Sequence, residues 1–352
     1  MKGPVHYLKM WYFIGRGFAL PQCVMPAIMA VVLSLGVQNA DGTPRGEFLW
    51  PLAVLAVIAV PLVHLAMNML DDYFDYKYDL LSYREDLREE GEQAFTDKYP
   101  YLRDGTITHT QLGIGIAVIL GIALLFGVII ALYRGWPVLV IAAIVGFLGY
   151  FYSGWPLKLG FHGLGEIIIG ICFGPCLMCG VFEAASGAIY SETEGIYWPI
   201  VLISIAIGMF VTNILYTHSF VERHTDAVSH KKTLAVLLKT DFLGLSAYAI
   251  FLYVPFLLVI GAVCVGYMHP AYLLVLVMIP HSIWLMRGMI AWAQKKPYNT
   301  ANPPRWLGHM DDLEQHVANN NDFYIVRWYV MRNINTGYCA IICLVKLALL
   351  LL

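Results

Sequence analysis

Apolar residues run along this chain in blocks of membrane length, separated by shorter polar stretches. A hydrocarbon core of about 30 Å needs about 20 apolar residues of helix. By that measure nine spans are expected, at about 18–37, 48–70, 112–133, 136–153, 163–184, 197–217, 241–267, 271–292 and 336–352. The ninth is short and carries Lys346. The polar intervals are uneven. Three are long enough to hold structure of their own, at about 71–110, 217–240 and 293–335. The third contains a candidate surface helix over Met310–Val317 and is read as a solvated connector. The pattern predicts an all-α membrane protein.

Composition strengthens that reading. Of 352 residues, 59% are hydrophobic and 13% charged, where soluble domains average about 25% charged. No cleavable leader is expected, because Met1 to Arg16 is mixed and aromatic and the stretch after it reads as a span. Charge placement gives direction. With the N-terminus in the cytoplasm, 19 of the 22 Lys and Arg residues fall on the cytoplasmic side, and Arg45 and Arg134 on the other. Cys172, Cys176 and Cys179 have spacing reminiscent of a metal site, but they sit in an apolar run beside Gly and Pro. Small packing residues are the better reading.

Two acidic clusters follow spans two and six, at their cytoplasmic ends. Asp71, Asp72, Asp75 and Asp79 form the first, Glu222 and Asp226 the second. Asp71 to Glu222 and Asp75 to Asp226 are both intervals of 151 residues. Carboxylates at i and i+4 share a helix face, so each cluster can aim several oxygens at one point. Acids this dense repel one another unless a cation screens them. Oxygen donors suit Mg2+, which commonly binds one or two carboxylates together with a phosphate. An ionisable group at a membrane is by default a functional hypothesis. The candidate metal ligands are therefore Asp71, Asp75, Asp79, Glu222 and Asp226, with Asp72 beside them.

Cations and aromatics surround these acids in the sequence. His218, Arg223, His224, His230, Lys231 and Lys232 flank the second cluster, and Arg and Lys both suit phosphate. A zinc site on His218, His224 and His230 fits poorly, since a spacing of six does not keep one helix face. Arg16 and Lys158 lie at the same membrane level, where a lone cation more often only sets topology. Tyr150, Tyr152 and Trp155 are either interface-belt aromatics or, with Tyr73 and Phe74, the lining for a developing carbocation.

In combination these motifs resemble the UbiA superfamily of intramembrane prenyltransferases. Asp71-Asp-Tyr-Phe-Asp75-Tyr-Lys-Tyr-Asp79 is similar to its first aspartate-rich motif. Glu222-x-x-x-Asp226 followed by Lys231-Lys-Thr-Leu-Ala-Val236 is similar to the second. Leu148-Gly-Tyr-Phe-Tyr152-Ser-Gly-Trp-Pro-Leu-Lys158-Leu, continuing as Gly163-Leu-Gly-Glu166, resembles the stretch joining helices four and five. That stretch most resembles the menaquinone-pathway branch, the 1,4-dihydroxy-2-naphthoate polyprenyltransferases. Arg16-Gly-Phe-Ala-Leu-Pro21 and Tyr101-Leu-Arg-Asp-Gly105-Thr-Ile107 match further elements, so the resemblance covers about 10–290. Asp71 stands where the family usually has Asn, Glu222 where it has Asp, and Gly17 where it has Pro. His218, Ser219 and Val221 replace the usual Asn and Arg ahead of the second motif.

The resemblance implies one domain over 1–352, a nine-helix bundle around a central cavity open sideways to lipid. It implies that the two motifs hold Mg2+ on a prenyl diphosphate, with Tyr152 and Lys158 near the phosphates; Arg16, Lys231 and Lys232 are further candidate diphosphate-binding cations. The implied reaction is prenylation of an aromatic acceptor, in the naphthoate branch 1,4-dihydroxy-2-naphthoate, at a bacterial cytoplasmic membrane. No nucleic-acid partner is expected. Other acceptors stay open: another quinone precursor, a haem or chlorin, or a glycerol phosphate. A cation carrier is the alternative from another class, but carrier sites lie near the bilayer midplane and these acids lie at span ends.

Overall fold

The computed structural model describes residues 4–78, 99–228, 231–319 and 322–352. Among the described residues nine helices are long and apolar enough to cross a membrane. They are α1 (Gly17–Ser34), α2 (Trp50–Lys77), α3 (His109–Arg134), α4 (Trp136–Ser153), α5 (Gly165–Ser186), α6 (Trp198–Val221), α7 (Asp241–Cys264), α8 (Pro270–Ala293) and α9 (Asp322–Leu351). The chain is an integral membrane protein. Local signals set the helix ends. Pro occupies the first turn of α2, α4, α6 and α8, where its missing N–H costs nothing. Thr108 and Gln111 form a capping box that starts α3, and the Thr240 hydroxyl accepts from the Leu243 N–H to start α7. Gly135, at φ 76°, breaks α3 from α4.

The helices pack in sequence: α1 on α2, α2 on α3, α3 on α4, α5 on α6, α6 on α7, α7 on α8 and α8 on α9. Finally α9 packs on α1 and closes the bundle. Burial divides them. The apolar window of α6 is 72% buried and that of α4 only 11%, so α6 is central and α4 peripheral. Ile114, Val118, Leu125 and Leu132 on α3 and Leu139, Val140 and Phe147 on α4 are exposed, as a lipid-facing surface requires. At the crossing of α5 and α6, a Cβ on Gly174 would stand 2.6 Å from the Gly208 Cα. Glycine lets these backbones meet. Gly208→Ala is expected to destabilise the bundle by about 1–2 kcal/mol through overpacking. Thermal unfolding in detergent checks this, and an unchanged midpoint would remove the crossing as a source of stability.

Two helices depart from the hydropathy reading. The second span was expected to end at 70, but α2 continues to Lys77 and carries Asp71, Asp72 and Asp75 inside it. The ninth was expected over 336–352, with a connector over 293–335; instead α9 begins at Asp322. Its first half carries Arg327, Arg332, Asn333 and Asn335, which break the apolar run in the sequence, yet Arg327 and Asn335 are buried in the bundle. The Asn335 Nδ2 donates to Gln22 Oε1 of α1 at 2.9 Å, and the Arg327 guanidinium donates to the Phe323 carbonyl. The connector proper is correspondingly shorter and only partly solvated: Thr300 and Leu307 are buried. The short helix expected over Met310–Val317 occurs at Leu313–Ala318. The cysteine run contains a π-helical turn, Cys172–Cys176, around Pro175, and all three cysteines are free thiols.

Candidate functional site

The first acidic cluster rides on the last turns of α2, which places Asp71 and Asp75 on one face. Its members are differently held. Asp72 is 2% exposed, and one of its carboxylate oxygens accepts from the Arg16 guanidinium. The other accepts from the Tyr101 hydroxyl at 2.6 Å. Asp71 receives the Ser153 hydroxyl at 2.6 Å and lies 3.6 Å from Arg16. Asp75 is buried beside them. Asp79 lies outside the described residues.

Charge stabilises this arrangement. Close packing around Arg16 opposes its positive charge, but the fields of Asp72 and then Asp71 outweigh it, and the guanidinium is held up in its charged form. Burial, followed by the Asp72 anion, pushes the Tyr101 phenol well up, so it keeps its proton and donates. Arg16 has left-handed backbone, φ 58°. Its approach is supported by Asn68, whose Nδ2 donates to the neighbouring Gly15 carbonyl at 3.0 Å.

The segment between α4 and α5 joins the first cluster to the second. Ser153 at the end of α4 holds Asp71. Gly165 gives the Tyr152 ring room, since a Cβ there would stand 3.3 Å from the phenol oxygen. Lys158 is also left-handed, φ 41°, and its ammonium sits 3.4 Å from the centre of the Tyr78 ring, a cation–π contact. Further on, the Phe161 carbonyl accepts from the Lys232 N–H at 3.2 Å. Glu166, 1% exposed, accepts the Leu234 N–H on both oxygens at 3.3 Å. Lys231 completes the link: its N–H donates to the Asp226 carbonyl at 2.9 Å, and its ammonium lies 5.8 Å from the Phe161 ring centre.

In the second cluster, Glu222 occupies a turn between α6 and a short helix, Arg223–Val228. The i, i+4 relation nevertheless holds, because the Asp226 N–H donates to the Glu222 carbonyl at 2.8 Å. Both acids are buried. Tyr324 of α9 donates its hydroxyl to Glu222 Oε1 at 3.3 Å. Arg223 pairs with Asp241 at 2.5 Å, which ties it to the start of α7. His218 stacks on Tyr324, and His230 lies outside the described residues.

Among the described residues, no three Asp, Glu, His or Cys side chains converge as a ready metal site. The donor set is nevertheless chemically suited to a hard divalent cation: carboxylates supported by hydroxyl and guanidinium groups, without thiolate. Mg2+ completes its coordination with water and substrate phosphate, so an all-protein cage is not its usual host. Sequence reasoning did not single out Tyr101, Ser153 and Glu166 individually, although all three fall within quoted motifs. It gave no signal for Tyr324.

The profile of the UbiA prenyltransferase family matches residues 24–302, most of the chain. The chain belongs to the UbiA prenyltransferase family. It is a prenyltransferase. It is 26% identical over 276 residues to the 1,4-dihydroxy-2-naphthoate octaprenyltransferase of Bacillus subtilis (strain 168), covering 78% of this chain and 80% of that one. It is 22% identical over 228 residues to the enzyme of the same name from Mycobacterium leprae (strain TN), covering 65% and 69%. Among solved structures, a digeranylgeranylglyceryl phosphate synthase aligns with TM-score 0.56 at 15% identity, over 95% of this chain and 99% of that one. A UbiA homologue from Archaeoglobus fulgidus, solved with GPP and Mg2+, aligns with TM-score 0.51 at 13% identity, over 94% and 99%. At these identities the structural likeness speaks for the fold, which matches the nine-helix bundle expected.

Proposed function

We propose that this prenyltransferase transfers a polyprenyl group from its diphosphate to 1,4-dihydroxy-2-naphthoate, with Mg2+ bound between the two acidic motifs. The observation that carries the reading is a single segment, 153–166, from the last residue of α4 to the first turn of α5: Ser153 ties it to Asp71, and Phe161 and Glu166 tie it to Lys232 and Leu234, just after Asp226. It supports one site built from both motifs. The two relatives named 1,4-dihydroxy-2-naphthoate octaprenyltransferase support the acceptor. The Archaeoglobus homologue, solved with GPP and Mg2+, supports the donor and the ion. Asp71, Asp75, Asp79, Glu222 and Asp226 would hold the metal, and Mg2+ there would neutralise charge on the leaving diphosphate.

The chain's own residues do the rest. Arg16, fixed by Asp72, and Lys158, Lys231 and Lys232 present positive charge to the departing diphosphate. Tyr152 and Tyr78 lie beside them. The C1–O bond of the prenyl diphosphate breaks, and the electron pair leaves with the diphosphate. The electron-rich ring attacks C1, and the ring then loses its carboxylate as CO2. Aromatic side chains shield the allylic cation from water, which would otherwise quench it. A central cavity open to lipid would admit the isoprenoid tail without exposing it to water. The same reading makes the chain one domain, with the N-terminus and both motifs on the cytoplasmic side of a bacterial inner membrane, as the basic residues suggest.

The test uses purified protein in lipid nanodiscs with octaprenyl diphosphate, Mg2+ and one acceptor at a time. Mass spectrometry is expected to find the decarboxylated prenyl naphthoquinol with 1,4-dihydroxy-2-naphthoate. Product only with 4-hydroxybenzoate, a haem or glycerol 1-phosphate would replace the acceptor assignment.

Lys158 allows a sharper test of the diphosphate side. A residue other than glycine in the left-handed region costs about 1–2 kcal/mol. Lys158→Gly is therefore expected to keep or raise the unfolding midpoint while lowering prenyl transfer by about tenfold or more. Full activity in a correctly folded Lys158→Gly protein removes Lys158 from the diphosphate site.

A further inference from the structure

The start of α9 lies beyond the last residue matched by the family profile, 302, yet it reaches the second acidic motif. Tyr324 is 8% exposed and donates to Glu222 Oε1 at 3.3 Å. Its ring is held on two sides. His218, one turn before Glu222 on α6, stacks against it with centroids 5.6 Å apart and planes 18° apart. Phe323 packs at 4.2 Å. Behind it, Thr300 of the connector donates to Asp322 Oδ2 at 2.5 Å and so pins the first residue of α9. The hydroxyl therefore comes from a ring with little freedom, on a helix end that is itself tethered.

We infer that Tyr324 is a positioning residue for metal-diphosphate binding: its hydroxyl restrains the Glu222 carboxylate that would ligate the cation. This rests on the metal-binding role proposed above for Glu222. A carboxylate has about four lone-pair sites, and one satisfied by a fixed donor constrains where the remaining ones point. Groups that orient a ligating carboxylate commonly change metal affinity by about 10–100-fold when removed. The inference also gives the connector a role, since it sets where α9 begins. His218 supplies the stacking face.

The experiment measures Mn2+ binding by electron paramagnetic resonance on the purified full-length protein, with a non-reacting prenyl thiodiphosphate present. Tyr324→Phe keeps the ring and its stack and removes only the hydroxyl. The expected result is about tenfold weaker Mn2+ binding at an unfolding midpoint close to that of the parent protein. In turnover, the Mg2+ requirement rises, while kcat at saturating Mg2+ falls by less than the metal affinity does. A coupling test covers the case of a damaged fold. With Glu222→Gln already present, adding Tyr324→Phe should change Mn2+ affinity by less than about twofold, because the oriented group is gone. Unchanged Mn2+ affinity in Tyr324→Phe, or effects that simply add in the double variant, would overturn the inference. Asp75→Asn separates it from the parent reading. If the unsubstituted protein and Asp75→Asn bind Mn2+ alike, the metal site itself is misassigned, and the role of Tyr324 falls with it.

Discussion

Asp75→Asn and Asp226→Asn are each expected to lower prenyl transfer by about 10²–10³-fold, with folding largely intact. The two acids lie on different elements, α2 and the short helix after α6, and both are buried at the same end of the bundle. Asn keeps the shape and one carbonyl oxygen but removes the negative charge that a divalent cation needs. Burial makes that loss matter, because charge interactions are stronger away from water. The measurement is product formation in nanodiscs across a Mg2+ titration, with thermal unfolding as the control. Excess Mg2+ should recover part of the rate in either variant, since a weakened site still fills at high concentration. Undiminished product formation from both variants would defeat the metal-diphosphate assignment. Loss in one only would point to a site built on a single motif.

The spans were legible because a membrane imposes one condition, a sufficient apolar length, and that condition is written locally. The start of α9 was hidden for the opposite reason. Arg327, Arg332 and Asn335 read as polar, and only the fold shows that Arg327 and Asn335 are buried. The acids of the site were visible because four aspartates within nine residues exceed what a solvated helix end requires. Their distinct states were not. Asp71 and Asp72 are neighbours in sequence, yet one faces Ser153 and the other is enclosed by Arg16 and Tyr101. Helical spacing reports which face a residue occupies, while the Ser153 partner of Asp71 arrives from 82 positions away. Arg223 makes the same point: it reads as a phosphate cation beside Glu222, but the fold pairs it with Asp241.

Asp72→Ala is expected to destabilise the protein by about 2–3 kcal/mol, the largest stability effect among the site residues. Removing one member of a buried ion pair typically costs about 3–5 kcal/mol, because the remaining charge is stranded. The Arg16 side chain is 33% exposed, so water recovers part of that cost, and the lower range applies. The stranded groups are the Arg16 guanidinium and the Tyr101 hydroxyl, which both donate to Asp72. Tyr101→Phe should cost less, about 1.5 kcal/mol, since it removes a single hydrogen bond to a charged acceptor. The contribution of Tyr101 has a defined pH sense. Burial and the Asp72 anion raise its phenol in the folded state, so its stabilisation is complete below the ordinary phenol value of about 10. It is lost progressively above that value, as the unfolded phenol ionises while the folded one keeps its proton, and is gone once the folded phenol ionises too. The decisive measurement is a double-mutant cycle of Arg16→Gln with Asp72→Asn, read by thermal unfolding in detergent. A coupling of about 1 kcal/mol or more is expected from their direct contact. Additive effects would mean that the two residues stabilise the fold independently, and that Arg16 reaches its place beside the acidic motif without Asp72.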